Sequence, residues 1–488
     1  MAGPLVLAID QGTTNTKALL VSAEGRIVHQ ASVPNAVDYP QPGWAEQSGE
    51  KLWQGVREAI AAVIGKAGGT DGIAALAISN QRESVLVWDA ATSEPIGPCI
   101  IWQCRRTAET CAALAAAGHG DLIEARTGLG LDPLFPAAKI AWLIDAVPRA
   151  RARAERGELR AGTVDSWLLA RLTGGKVHAT DHSNAARTQL FDIGRLAWDA
   201  ELAGLFGVPM PLLAEVRPSN TQFGKTAEGA TVLPAGIPIH AMIGDSHAAL
   251  YGHGVRTPGT VKATYGTGTS LMTLTPSKLR SRHGLSATIA WSTPAGAVHA
   301  LEGNISVSGQ AAQFMAELLG LADAAAAADL AKTVADTQGV TFVPALVGLG
   351  APHWRSDARG AITGMSLATK PAHLARAALE AIAFQVADVF HAMEKDLGAE
   401  LAGLSADGGA SQNPMLMQFQ ADLIGRPVTA SAAPEVSALG AAALAFSGLG
   451  VETRFSDGGT TFMPAMDAPT RAAHLKRWQA AVRQTLTT

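Results

Sequence analysis

"LVLAIDQGTTNTKALLVS", residues 5–22, decides how the rest of the chain is read. An apolar run from Leu5 to Ile9 ends in Asp10. Gln11, Gly12, Thr13, Thr14, Asn15 and Thr16 follow before Lys17 and a second apolar run, Leu19 to Val21. The pattern predicts two strands joined by a polar turn. Gly12 lets backbone N–H groups approach a bulky ligand, the four residues after it add side-chain donors, and Lys17 adds positive charge, a set suited to phosphate oxygens. It is not a P-loop, because the G-x-x-x-x-G-K-[ST] spacing is absent and a strand, not a helix, comes next. Taken alone, the stretch reads equally well as an ordinary polar hairpin. Asp10 sharpens the ligand reading: a carboxylate beside a phosphate cradle repels the anion unless a cation such as Mg²⁺ lies between them.

The same device recurs midway along the chain. "GTVKATYGTGTSLMTLT", 259–275, again sets two apolar runs around a turn of small residues, Gly266, Thr267, Gly268, Thr269 and Ser270. Two such units predict two similar halves, 1–250 and 251–488, packed closely because no low-complexity linker separates them. Runs such as "GIAALAIS", "SVLVWDA" and "GPCIIWQ" alternate with alanine-rich helical stretches such as Gly49 to Lys66, the signature of an α/β chain with helices flanking a mixed sheet. The periodicity also predicts a helix from Thr369 to Leu397, with Thr369 as cap, Pro371 in the first turn and Gly398 just past the end. "LSADGGASQNP" reads as a strand ending at Asp407, a Gly-Gly turn and a helix from about Pro414 that stops at Gly425. That makes three ligand-shaped turns.

Bulk properties narrow the classes of function. At 488 residues and 48% hydrophobic content the chain buries a large core, which excludes a disordered protein. A formal net charge of −4 without a dense basic block gives no footprint for nucleic acid. Cys99, Cys104 and Cys111 lack metal-ligand spacing and are expected as buried thiols in a reducing compartment. No basic n-region opens the sequence and no apolar run is long enough to span a bilayer, so a soluble, cytoplasmic protein is expected.

The opening turn, "GTGTS" and "DGGA", in that order, resemble the two phosphate motifs and the adenosine motif of the actin-like ATPase superfamily, in which two ribonuclease-H-like domains close on a nucleotide. "ISNQRESVLVWD", "IIWQCRRT", "SNAARTQLFDI", "IGDSHAAL" and "DGGASQNPMLMQFQADLIG" narrow the resemblance to the FGGY carbohydrate kinases and, within them, to the glycerol kinase branch. It runs from about residue 5 to 447 and is most specific over Gly360 to Glu380. It implies transfer of a phosphoryl group from ATP, with Mg²⁺, to an alcohol, a reaction in which the protein mainly positions and stabilises.

The resemblance implies roles residue by residue. Asp245 would be the base that accepts the hydroxyl proton; by position alone it reads as a helix N-cap. Asp10, with Asp245, would hold Mg²⁺. Arg82 and Glu83 would hold substrate hydroxyls, although neighbours in a regular strand point to opposite faces and can share a ligand only where the strand ends or bends. Trp102 would wall the carbon chain. Thr13, Thr14 and Lys17, the last where arginine is usual, would face the outer phosphates; Gly266, Thr267 and Gly268 the other side; Gly408, Gly409, Ala410 and Asn413 the adenosine.

This chain departs from the glycerol-kinase pattern where acceptor size would be decided. Leu134 stands for a tyrosine, Ser246 for a glutamine, and Ser270 for a phenylalanine, while Cys104 replaces an aspartate near Trp102 and His247 offers a substitute hydroxyl contact. Each of the first three changes removes bulk or a long polar arm, so the expected substrate is a small linear polyol of four or five carbons. A ketose or aldose kinase of the same family, and a non-catalytic nucleotide-binding sensor, remain open at this point. Self-association is common among the proteins resembled, but no stripe here marks an interface.

Overall fold

The computed structural model describes residues 3–453 and 458–486. Its frame is a pair of mixed sheets. The first contains β1 (Leu5–Gln11), β2 (Asn15–Ser22), β3 (Ile27–Pro34), β4 (Ile73–Asn80), β5 (Gly224–Lys225) and β6 (Pro238–Gly244), in the order β5-β6-β4-β1-β2-β3. The second contains β7 (Thr260–Tyr265), β8 (Thr269–Thr275), β9 (Ser286–Thr293), β10 (Gly296–Ile305), β11 (Gly403–Asp407), β12 (Val428–Ala430) and β13 (Thr460–Phe462), in the order β9-β10-β8-β7-β11-β12-β13.

Both sheets are centred on the same unit. β1 and β2 form an antiparallel hairpin, and β4 lies parallel to β1 on its other side. β7 and β8 form the matching hairpin, with β11 parallel to β7. Central strands covered on both faces read as continuous apolar runs, which is why Val6 to Ile9 are all fully buried. The strands expected over "GIAALAIS", "SVLVWDA" and "GPCIIWQ" are present at Ile73–Asn80, Val85–Asp89 and Cys99–Ile100, the last two in a separate four-stranded sheet.

Helices α1 (Gly49–Ala67), α2 (Pro136–Ala146), α3 (Asp245–Gly252), α4 (Pro371–Leu397), α5 (Pro414–Ile424) and α6 (Val436–Gly448) cover the sheets and the ground between them. α5 starts on its Asn413 cap and ends at Gly425 as the sequence predicts. α4 corrects one expectation: its cap is Lys370, not Thr369. The Lys370 N–H donates to the His373 imidazole at the first turn, while the Thr369 hydroxyl accepts from the Ser366 N–H and closes the preceding loop instead.

α6 belongs by sequence to the second half but packs on the first sheet. Ala438 to Phe446 share one buried cluster with Val6, Ala8, Ala75, Ala77, Ala241 and Ile243, and with Met272 and Leu274 of the second sheet. α6 also crosses α3 so closely that a Cβ on Gly440 would stand 1.8 Å from the Ala248 carbonyl oxygen. All three cysteines are free and buried. Among the described residues no helix is long and apolar enough to cross a membrane.

Candidate active site

Strand register brings the first group of candidate residues to one rim. Asp10 is level with Ser79 across β1 and β4, and Gly244 of β6 is level with Asn80. Asp10, Arg82 and Asp245 therefore lie at or just beyond the carboxyl ends of three neighbouring parallel strands, where open α/β sheets bind ligands. β4 ends at Asn80, and Glu83 takes a left-handed backbone conformation, φ +60°. That is the bend required for Arg82 and Glu83 to serve one site, and a positive φ at a non-glycine residue is a backbone cost found most often at functional positions.

The second sheet completes the group. Arg82 spreads its guanidinium over four partners: Nε lies 3.2 Å from Asp245 Oδ1, Nη2 donates to Ser246 Oγ at 3.3 Å, and Nη1 donates to Glu302 Oε1 at 2.5 Å and lies 3.8 Å from Glu83. Glu302 is on β10, and the Ser270 hydroxyl of β8 donates to the same Oε1 at 2.9 Å. Arg187 closes the ring, with Nε 2.7 Å from Glu83 and Nη2 2.7 Å from Glu302. Burial alone would raise the Glu302 carboxyl, but Arg187 and Arg82 hold it well below the carboxylate range. Burial pushes Asp245 upward, with Arg82 opposing. Arg82 can lie across the start of α3 only because residue 244 is glycine: a Cβ there would stand 2.6 Å from Arg82 Cγ. Gly244 is also the helix cap, so Asp245 is the first helical residue, and its Oδ1 accepts the Ser246 N–H at 2.6 Å besides facing Arg82.

Ser246 and Ser270 thus both touch the Arg82–Glu302 pair. His247 does not serve as the substitute hydroxyl contact. It is fully buried, its Nε2 is 3.5 Å from the Thr288 hydroxyl, and burial holds it well below its ordinary value, so the ring is neutral and inside.

Trp102 is half-buried, and its indole N–H donates to Thr13 Oγ1 at 2.9 Å, tying the candidate acceptor wall to the first phosphate turn. The Thr13 hydroxyl in turn donates to Gln81 at 3.3 Å. Leu134 is part-exposed, and its carbonyl accepts from Lys139 Nζ at 2.6 Å, whereas Cys104 is buried and accepts from Arg106 Nε at 3.0 Å.

In the opening turn, Gly12 N–H closes on the Asn15 carbonyl and Thr14 is exposed, but Thr16 faces inward and donates to Asn35, so it is not one of the available donors. Lys17 pairs with Glu435 at 2.6 Å. In the second turn, Gly266 N–H binds the Gly268 carbonyl, the Thr267 carbonyl accepts from Ser308 and Gln310, and the Thr267 side chain is exposed. Thr264 is level with Asp407, which brings the Gly408–Gly409–Ala410 turn beside it. Asn413 spends its side-chain oxygen on the Met415 and Leu416 N–H groups, leaving its amide NH₂ for a ligand.

The donor set fits a magnesium ion. Asp10 receives one bond from Ser79, 2.8 Å, and burial, with Asp245 adding to it, pushes its carboxyl up to about 6 despite Lys17 nearby, the state of a buried carboxylate lacking a contacting cation. Mg²⁺ is commonly held by one or two carboxylates plus phosphate oxygens and water, so the absence of any three-ligand cluster among the described residues does not argue against it.

Sequence reasoning missed Arg187, Glu302, Lys139, Lys262 and Glu435. A carboxylate inside the buried strand "HALEGNI" and an ammonium among the apolar residues of "AAKIAWLI" were the available signals, since charges are almost never fully buried unless paired. Lys262 is fully buried, and burial lowers it while Asp407 opposes.

Comparison with known proteins gives consistent results. The model of the FGGY family of carbohydrate kinases, N-terminal domain, matches residues 5–252, and that of the C-terminal domain matches 261–449. An apulose kinase of Pectobacterium atrosepticum is 49% identical over 452 residues, 92% of this chain and 90% of that protein. A glycerol kinase of Chromobacterium violaceum is 46% identical, over 99% of this chain and 98% of its own. The crystal structure of Plasmodium falciparum glycerol kinase with ADP superposes with a TM-score of 0.91 at 32% identity, covering 99% of this chain and 98% of that one.

Proposed function

The chain belongs to the FGGY family of carbohydrate kinases, with the two-domain actin-like ATPase fold and ATP-dependent phosphorylation of a sugar or polyol that go with it, and we propose that its acceptor is a small linear polyol of four or five carbons. The observation that carries this reading is the Ser270–Glu302–Arg82–Asp245 chain of contacts, which runs from the second sheet to the first and ends on a carboxylate at the rim. Short hydroxyls at 246 and 270 touch it with less bulk than the glycerol-kinase pattern, and Leu134 stands for that pattern's tyrosine.

In the proposed mechanism Arg82 and Glu83 supply donors and acceptors to the acceptor hydroxyls, and Trp102 covers the carbon chain. Asp245 takes the proton of the terminal hydroxyl as its oxygen bonds to the γ-phosphorus. The bond from that phosphorus to the bridging oxygen breaks, and ADP leaves. Thr13, Thr14, Lys17 and the Gly266–Thr267–Gly268 turn hold the phosphates, and Gly408, Gly409, Ala410 and Asn413 the adenosine. Asp10, with Asp245, would hold Mg²⁺, which when bound neutralises phosphate charge. We place the boundary between the two lobes near residue 250.

A second reading, transfer to a sugar such as apulose, is favoured by the 49% identity to the kinase of that name. A panel of glycerol, erythritol, threitol, xylitol, ribitol, arabitol and apulose, followed by ADP release, separates them. The proposal expects a four- or five-carbon polyol to give the highest kcat/KM. Glycerol leading by a wide margin would remove the widened pocket, and apulose leading would replace the polyol by the sugar.

A further inference from the structure

Lys139 is fully enclosed on the inward face of α2, between buried Ala138 and Ile140. Its ammonium touches no carboxylate. It donates instead to three backbone carbonyls: Glu83 at 3.1 Å, Ile101 at 3.0 Å and Leu134 at 2.6 Å. The three come from segments 18 and 33 positions apart in sequence. Each either belongs to a candidate acceptor residue or, in the case of Ile101, precedes one, Trp102. Glu83 is the strained residue of the bend, so the bond to its carbonyl acts where the backbone is least able to hold its own conformation.

We propose that Lys139 is a positioning residue for the acceptor pocket, one ammonium fixing the Arg82–Glu83 bend, the Trp102 wall and the Leu134 wall relative to one another. An ammonium has three N–H donors and no acceptor, which matches three converging carbonyls and nothing else on the side-chain menu. Arginine's fork is planar and cannot reproduce that convergence. The inference rests on the acceptor-pocket reading above for its kinetic consequence, though not for its structural one.

The charged and titratable groups facing Lys139 are Glu83 after β4, Asp132 in the loop before α2, and Cys99, Cys104 and Cys111 from the segments packed beside it. Burial brings Lys139 down to about 8 and pushes Cys99 up to about 12. Above pH 8 the amine keeps two N–H groups for three carbonyls. Because burial favours the neutral form, global stability does not fall in that window. Acceptor positioning loosens without unfolding.

The test uses the full-length protein and Lys139→Gln, Lys139→Met and Lys139→Arg. Hydrogen exchange reads the positioning directly: in Lys139→Gln or Lys139→Met the amides of 81–84, 101–103 and 134–135 lose protection together. If any one of the three segments keeps wild-type protection the proposal fails, whatever the activity. Kinetically, Lys139→Gln raises the acceptor KM about tenfold or more with the ATP KM within about twofold. Equal changes in both, or none, overturn the proposal. Wild-type acceptor KM climbs between pH 7.5 and 9.5, whereas Lys139→Arg is flat there. A climb retained in Lys139→Arg counts against the idea. A wild-type protein that phosphorylates nothing in the panel sinks the function reading instead, and the exchange measurement still decides on Lys139.

Discussion

The ammonium of Lys17 lies 2.6 Å from the carboxylate of Glu435, a residue 418 positions away at the foot of α6. Lys17 lies near the start of β2, just after the first polar turn, and Glu435 caps α6, which comes from the second half of the chain and packs on the first sheet. If Lys17 faces the outer phosphates as proposed, phosphate and Glu435 would compete for one cation.

Removing the competitor should therefore help nucleotide and removing the cation should hurt it. Glu435→Gln is expected to lower the ATP KM several-fold at low salt and Lys17→Met to raise it several-fold, with both effects shrinking as salt screens the charges. Initial rates at two ionic strengths check this; an ATP KM that ignores both substitutions would disconnect the pair from the phosphates.

Asp245→Asn should bind ADP as the wild type does and lose roughly 10²- to 10⁴-fold in turnover, the range for one general base. In the proposed mechanism Asp245 would act ionised, and burial raises its carboxyl above the usual range against Arg82. Wild-type kcat/KM should accordingly fall on the acid side at a pH higher than an exposed aspartate would give. Calorimetric ADP titration and a pH–rate profile measure the two halves of the claim.

Asp10 couples stability to pH in the opposite sense from a salt-bridged carboxylate. Its folded value of about 6 exceeds its ordinary one, so between about 4 and 6 the folded state carries more proton than the unfolded, and stability falls as pH rises through that window. Asp10→Asn should reduce the slope, to which buried Asp165, raised to about 7, also contributes, and raise Tm of the ligand-free protein at pH 7, by roughly 1 to 3 kcal/mol. The same variant should slow the Mg²⁺-dependent step and recover rate as Mg²⁺ is raised; a rate that added metal cannot alter would count against the metal role. Thermal melts from pH 4.5 to 7.5 and a magnesium titration of the rate suffice.

Gly440→Ala places a methyl group 1.8 Å from a backbone oxygen of α3. Backbone cannot give way as a flexible side chain does, so a loss of about 3 kcal/mol is expected, the upper end for overpacking. Urea denaturation gives the number; a shift of under about 0.5 kcal/mol, the size of an ordinary surface change, would mean that the helices separate freely.

What could be read in the sequence was what local pattern encodes. The opening hairpin, the matching one at 260–275, the Pro414 helix and the end of β4 before Arg82 all follow from runs of apolar residues broken by small ones. The Thr369 cap failed because Thr369 and Lys370 both precede a proline-led helix, and only the fold reveals that His373 reaches back to Lys370. The partners of the recognised residues stayed hidden for a different reason. Arg82 meets Glu302 at a separation of 220, and nothing local to either one names the other. His247 illustrates the converse: next to Ser246 in sequence, it turns into the interior, because consecutive residues of a helix point about 100° apart.

α6 carries one more implication, for how the polypeptide is made. A face of the first sheet waits on Ala438 to Phe446 for its cover, yet its own strands are synthesised by residue 244. During translation that apolar surface emerges from the ribosome nearly two hundred residues ahead of the segment that shields it, and a chain cut short before α6 is expected to aggregate.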